Sequence, residues 1–221
     1  MDWTLANKYC SDLNNEGTSS VMWRLPAPDE LLTIVDSGLS VSALADIFTA
    51  ASGRAFWSGT DNRNSEKAWR INENGALESV EKTTENYVLC VRINDYPPVE
   101  NRFSPTPETV TGNVSGLIWQ TQYASSKSWG EALKYCEDST YAGYSDWRLS
   151  NKNELAPLLN YAKYKPASYF PDMPTGHFWS SSTFVNKYTS YAWEVDLNYY
   201  GGMITSTKTY KNYVRCVRNA D

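Results

Sequence analysis

The sequence holds a single histidine, His177. One imidazole leaves one candidate base for a Ser-His-Asp or Cys-His arrangement and excludes a multi-histidine metal site within one chain. Glu194 and Asp196 stand two apart in a strand-like run, so both can face one way, as an acid/base or metal pair requires. Cys10, Cys90, Cys136 and Cys216 admit three pairings, or four reduced thiols. Tyrosine and asparagine crowd the last third: Asn186, Tyr188, Tyr191, Asn198, Tyr199, Tyr200, Tyr210 and Asn212. Tyrosine offers rigid amphipathic area and asparagine adaptable hydrogen bonding, so a sugar ring can stack on one while its hydroxyls meet the other. Lys187, Lys208 and Lys211 lie among them, either as an anion-binding patch or as scattered solvated lysines.

Composition bounds this chemistry. Of 221 residues, 41% are hydrophobic and 20% charged, the balance of a globular chain of one or two domains rather than a disordered one. A net charge of −5 argues against whole-chain attraction to nucleic acid or anionic membrane. The charge is uneven: residues 1–110 carry 9 Lys and Arg against 16 Asp and Glu, and residues 111–221 carry 11 against 9. No apolar run is long enough to insert in a membrane. Nine tryptophans and 16 tyrosines beside one histidine lean toward a binding or structural module rather than an enzyme.

An internal repeat organises these residues. Trp3-x-x-Ala6-x-Lys8-Tyr9-Cys10 recurs as Trp129-x-x-Ala132-x-Lys134-Tyr135-Cys136, at an offset of 126. Trp23-Arg24-Leu25 with Glu30-Leu31 recurs at 124, Phe56-Trp57-Ser58 at 122, Ala68-Trp69 at 124, and Asn86-Tyr87-Val88-x-Cys90-Val91-Arg92 at 126. Order is kept while the offset drifts and returns, which marks two copies of one unit. Cys10 to Cys90 and Cys136 to Cys216 each span 80 residues, so the repeat selects one disulfide per copy, and disulfides imply an oxidising compartment.

The elements follow. Ser128-x-x-Glu131 reads as a capping box, with Trp129, Ala132, Leu133 and Cys136 on one helical face. Asp2 can cap the matching helix of the first copy. A second helix follows each Trp-Arg-Leu: Pro28 suits its first turn in one copy, and Ser150 can cap it in the other, where Pro157 keeps it short. Aromatic and β-branched runs after it, such as 177–180, 191–195 and 213–217, read as antiparallel strands. Each unit is therefore α+β, two helices and a small antiparallel sheet. The first unit spans 1–94 and the second 109–221. Residues 95–108, with Pro97, Pro98, Pro105 and Pro107, read as the linker. Val114–Gln120 is a leading strand with no counterpart before Trp3: either a signal peptide and a leading strand precede Met1, or the strand is missing naturally or supplied by another segment.

The set Ser-Gly-Leu-Ile-Trp-Gln (115–120), Ser-Trp-x-x-Ala-x-x-Tyr-Cys (128–136), Gly-Tyr-Ser-Asp-Trp-Arg-Leu (143–149), Phe-Trp-Ser-Ser-Ser (178–182), Ala-Trp-Glu-Val (192–195) and Val-Arg-Cys-Val-Arg (214–218) resembles the Lcl C-terminal domain family. This is a bacterial domain long listed as of unknown function. The first copy resembles it too, without the leading strand. Ser150 replaces the family's proline, which stands as Pro26 in the first copy, and Leu89 stands where the second copy has Arg215. The resemblance implies a C-type-lectin-like fold, export or surface attachment, and in some members binding of glycans, including sulfated ones, for adhesion. It supplies no catalytic residues. Related folds also serve retroelements as targets for surface diversification.

The expectation is a secreted, periplasmic or surface-displayed non-enzymatic binding protein of two C-type-lectin-like units. Its ligand would be a glycan or a host or cell-surface protein, bound without metal or cofactor. The contacts expected are Asn186, Lys187, Tyr188, Tyr191, Asn198, Tyr199, Tyr200, Lys208 and Tyr210. Residues 59–85 of the first copy hold no tyrosine, so the fold does not need these rings. A retroelement-diversified binder and a structural envelope module are the alternatives, and the oligomeric state stays open. The calcium motifs of true lectins are absent, and the paired cysteines leave no thiol for an oxidase. The eight tryptophans matched between copies, and the pairs Arg24/Glu30 and Arg148/Glu154, read as scaffold. Arg70 and Asn72 stand where the second copy has Glu194 and Asp196, which excludes a dyad shared by both units. His177 beside Phe178-Trp179 reads as a packed strand-end residue.

Overall fold

The computed structural model describes residues 1–14, 22–35, 54–62, 64–73, 75–93, 102–161, 163, 165–170, 173–184, 189–198 and 201–220. The first unit opens with α1 (Trp3–Asp12), where the Asp2 carboxylate accepts from the Leu5 N–H and the inner face buries Ala6 and Cys10. β1 (Met22–Arg24) leads to α2 (Pro28–Thr33), with Pro28 at its first position, where a missing N–H costs nothing. β2 (Phe56–Asn62), β3 (Asn64–Ile71) and β4 (Leu77–Glu81) form an antiparallel sheet, and β5 (Val91–Ile93) returns to pair with β1.

The second unit repeats this order with additions. It runs β6 (Phe103–Pro105), β7 (Thr109–Gly112), β8 (Leu117–Gln120), β9 (Ala124–Lys127), α3 (Trp129–Glu137), β10 (Arg148–Leu149) and α4 (Lys152–Leu155). Then come β11 (His177–Thr183), β12 (Tyr191–Asp196), β13 (Gly202–Thr207), β14 (Asn212–Val214) and β15 (Cys216–Asn219). One five-stranded sheet has the order β10-β15-β8-β7-β6, and the other β13-β12-β11-β14-β9. The result is a mixed α/β architecture of small, mostly antiparallel sheets with few helices.

The matched residues are scaffold in both units. Trp3 Nε1 donates to the Ser58 carbonyl and Trp129 Nε1 to that of Ser180, each at 2.8 Å. Trp57 and Trp179 are fully buried and donate to the carbonyls of Met1 and Lys127. Arg24 forks onto Glu30 and Arg148 onto Glu154, while each glutamate also accepts from the backbone N–H three residues earlier, so each pair locks a strand to a helix start. Cys10–Cys90 and Cys136–Cys216 are the disulfides, and among the described residues no cysteine is free.

Some expectations need correction. Asn151, not Ser150, caps α4: its side chain accepts from the Glu154 N–H, while the Ser150 hydroxyl is buried beneath. The Ser128–Glu131 capping box, by contrast, forms as expected, and the Glu131 carboxylate accepts from the Ser128 N–H and hydroxyl. Of the expected linker, 95–101 lie outside the described residues, and Phe103–Pro105 is a strand. Proline fits there because β6 is an edge strand among the described residues.

The units differ most at β5 and β15. β15 lies between β10 and β8, and Trp119 of β8 fills the core. Among the described residues β5 pairs with β1 alone. Cys216 and Val217 are accordingly fully buried, while Cys90 and Val91 are partly exposed. Arg215 is buried and donates to the Gln120 and Thr121 carbonyls at the end of β8. Leu89 stands at the matching position of the first unit.

One hydrophobic core joins the units. It runs from Leu31, Leu32, Ile71 and Leu77 to Leu117, Trp119, Leu158 and Val195. α2 packs against its counterpart α4 and β4 against its counterpart β13, the like-meets-like contact of an isologous dimer written into one chain. The Trp69 ring meets Tyr161 edge-on at 5.0 Å, and Arg102 pairs with buried Asp29 at 3.1 Å across the seam.

Candidate ligand-binding cleft

The cleft is built where β11 begins. Gly176 precedes it with φ of +136°, and a Cβ there would lie 2.7 Å from the Tyr213 ring, so only glycine fits. His177 then pairs in register with Asp196 on β12, and Glu194 projects from the same face one step inward.

Glu194 is 1% exposed and its oxygens are fully engaged. Oε1 lies 2.7 Å from His177 Nδ1 and accepts from Ser206 Oγ at 2.9 Å, and Oε2 accepts from Asn212 Nδ2. A buried carboxyl needs such donors. With Glu194 as acceptor, the Nδ1 proton is the one His177 donates. Its Nε2 lies 3.3 Å from Asn198 Nδ2 and 3.8 Å from Asp196 Oδ1. Asn198 is held in turn, Nδ2 donating to Asp196 Oδ1 at 2.7 Å. The hydrogen bond to Glu194 raises the His177 pKa above the ordinary imidazole value. Partial burial opposes this, and the charges of Glu194 and Asp196 add to it.

Half-exposed His177 opens onto a cleft of about 290 Å³ lined by Ser125, Ser126, Gly176, Lys211, Asn212 and Tyr213. Tyr213 stacks on Phe178 at 5.2 Å and meets Tyr123 edge-on at 5.5 Å, so the wall is a fixed aromatic stack. The polar side carries the His177 imidazole, already paired with Glu194, together with a lysine, two hydroxyls and an amide. That set offers hydrogen-bond donors, with Lys211 as its cation.

Of the expected contact residues, Tyr191, Asn198, Lys208 and Tyr210 lie among the described residues. Asn198 belongs to the His177 cluster. Tyr191 pairs with Thr207 at one end of the β12–β13 hairpin, whereas Asp196 pairs with Gly202 at the other. Lys208 and Tyr210 follow Thr207, in the turn that leads back to β14. Lys208 is engaged, donating to Thr183 Oγ1 at 3.0 Å and lying 4.0 Å over the Trp129 ring. Tyr210 is 62% exposed. Asn186, Lys187, Tyr188, Tyr199 and Tyr200 lie outside the described residues.

Reading the chain alone missed His177 as a centre, and Ser125, Ser126 and Asn212 as its neighbours. The signal was in the repeat. Ala55, Arg70 and Asn72 stand where the second unit has His177, Glu194 and Asp196. In the first unit Arg70 pairs with Glu78 at 2.6 Å and donates to Asn86, the counterpart of Asn212. The same lattice position thus carries a charge of opposite sign in each unit, and only the second places an imidazole beside it.

Among the described residues no group of three His, Cys, Asp or Glu could hold a metal ion. No helix among them is long and apolar enough to cross a membrane.

A family model for the Lcl C-terminal domain matches residues 1–92 and 108–218, the two units of the fold. No curated protein matches the chain.

Proposed function

We propose that this chain, which belongs to the Lcl C-terminal domain family in two tandem copies, is a non-enzymatic binding module for acidic glycans. The observation that carries the reading is the cleft beside His177. A carboxylate or sulfate group meets Lys211 and the imidazolium there, ring hydroxyls meet Ser125, Ser126 and Asn212, and the sugar face lies against Tyr213. Exposed Tyr210, adjacent in sequence to Lys211, extends the surface. Two helices followed by an antiparallel run of strands in each unit, and one disulfide per unit, support a C-type-lectin-like arrangement. The disulfides also support residence outside the cytoplasm, secreted, periplasmic or on the cell surface, where adhesion is the fitting role.

A glycan array probed with the wild type and with Lys211→Ala tests this. Wild type is expected to retain sulfated or carboxylated glycans and Lys211→Ala to lose at least tenfold of that signal. An array on which neutral glycans dominate, or on which both proteins bind alike, contradicts the assignment.

A further inference from the structure

Several matched positions carry the same residue in both units and differ in how they are covered. Tyr9, Tyr87, Val88, Cys90 and Val91 correspond, at the offset of 126, to Tyr135, Tyr213, Val214, Cys216 and Val217. Val214, Cys216 and Val217 are fully buried, whereas Val88, Cys90 and Val91 are partly exposed. Tyr9 and Tyr87 are exposed, whereas Tyr135 and Tyr213 are partly buried. The side chains are identical, so the difference lies in what lies over them.

In the second unit that cover is β8 and β9. β8 pairs with Val217, Arg218 and Asn219 of β15, and β9 with Asn212 and Val214 of β14. The register sets Trp119 opposite Val217 and Ile118 opposite Arg218. In the first unit β5 pairs with β1 alone among the described residues. Such an edge offers backbone donors and acceptors to an incoming strand. The covered unit is thus a template for what the open unit accepts: an extended segment, antiparallel to β5, with an apolar side chain opposite Val91.

Charge adds a second requirement. Buried Arg218 pairs with Asp146 at 2.8 Å. Exposed Met22 stands at the position of Asp146, at the offset of 124. Arg92, the counterpart of Arg218, is exposed, and no ion pair holds it among the described residues. A carboxylate set opposite Arg92 on an incoming strand would form a cross-strand ion pair. Two copies paired β5 to β5 about Arg92 would instead oppose two arginines, which counts against a second copy as the occupant.

We propose that the open edge of β5 accepts a β-strand from a separate protein partner, whose segment sets a carboxylate opposite Arg92 and an apolar residue opposite Val91. This surface belongs to the first unit, whereas the His177 cleft belongs to the second.

Two labelled peptides of residues 115–121, one carrying Ile118→Glu and the other Ile118→Lys, test it by fluorescence anisotropy with the whole chain. The glutamate peptide is expected to saturate one site and to bind at least about threefold tighter than the lysine peptide. Arg92→Glu is expected to reverse that order. Hydrogen exchange is expected to slow in β5 on peptide binding and to stay unchanged in β15. His177→Gln is expected to bind both peptides as wild type does, so this result and the glycan result fail independently. No saturable binding, or protection that falls away from β5, overturns the acceptor edge. So do β5 amides as protected in the free chain as those of β15, because the edge is then covered from within. An order of affinities unchanged in Arg92→Glu overturns the ion pair. A concentration-dependent dimer that protects β5 without peptide gives the edge to a second copy and overturns the separate partner.

Discussion

At the scale of single residues, Glu194 decides the chemistry of the second unit. Its carboxyl is buried, accepts from three side chains, and through one of them sets the protonation of His177. Because the folded-state pKa of His177 is raised, its stabilising contribution is complete below the ordinary histidine value of about 6.5. It is lost as pH rises through the higher folded value. Glu194→Gln should therefore lower the titration midpoint of His177 followed by NMR and flatten stability against pH in that window. A wild-type midpoint at or below that of an exposed histidine would contradict the arrangement. The chain alone showed that Glu194 and Asp196 share a face, but a face does not say what lies opposite. His177 approaches Glu194 only through the β11–β12 register.

At the scale of elements, the repeat made most of the fold legible. Paired tryptophans, both disulfides, and the Pro28 and Asp2 helix starts follow from matched positions. Each disulfide closes an 80-residue loop, so replacing Cys10 and Cys90 with alanine should cost about 4 kcal/mol in denaturant unfolding, as should replacing Cys136 and Cys216. A loss under about 1 kcal/mol in either pair would contradict that loop-entropy account. β6 was not legible, because proline near a chain crossing reads as linker until an edge strand is known to be there. The unequal pairing of β5 and β15 has its own consequence. Amides of β5, bonded only to β1 among the described residues, should exchange with deuterium faster than those of β15, which is held between β10 and β8. Equal protection in the two strands would show that β5 is covered as fully as β15.

At the scale of the whole molecule, the two units form one body. Their cores are continuous, and Asp29 and Arg102 pair across the seam with little exposure. Removing one partner of a buried pair is far costlier than removing a surface pair, about 3 kcal/mol or more. Asp29→Ala should destabilise both units together in one calorimetric transition; two separate transitions in the wild type would contradict a shared core. Nothing in the linear repeat foretold this seam, since matched residues describe each unit and not the contact between them. The central claim is that the cleft beside His177 binds an acidic glycan through a cationic imidazole. Its most direct test is the affinity for an array-selected sulfated glycan measured across pH, with wild type and His177→Gln compared. The account predicts that wild-type affinity falls as pH rises through the His177 pKa and that His177→Gln is weaker and flat. Affinity independent of pH in the wild type, or an unchanged pH profile in His177→Gln, would contradict it.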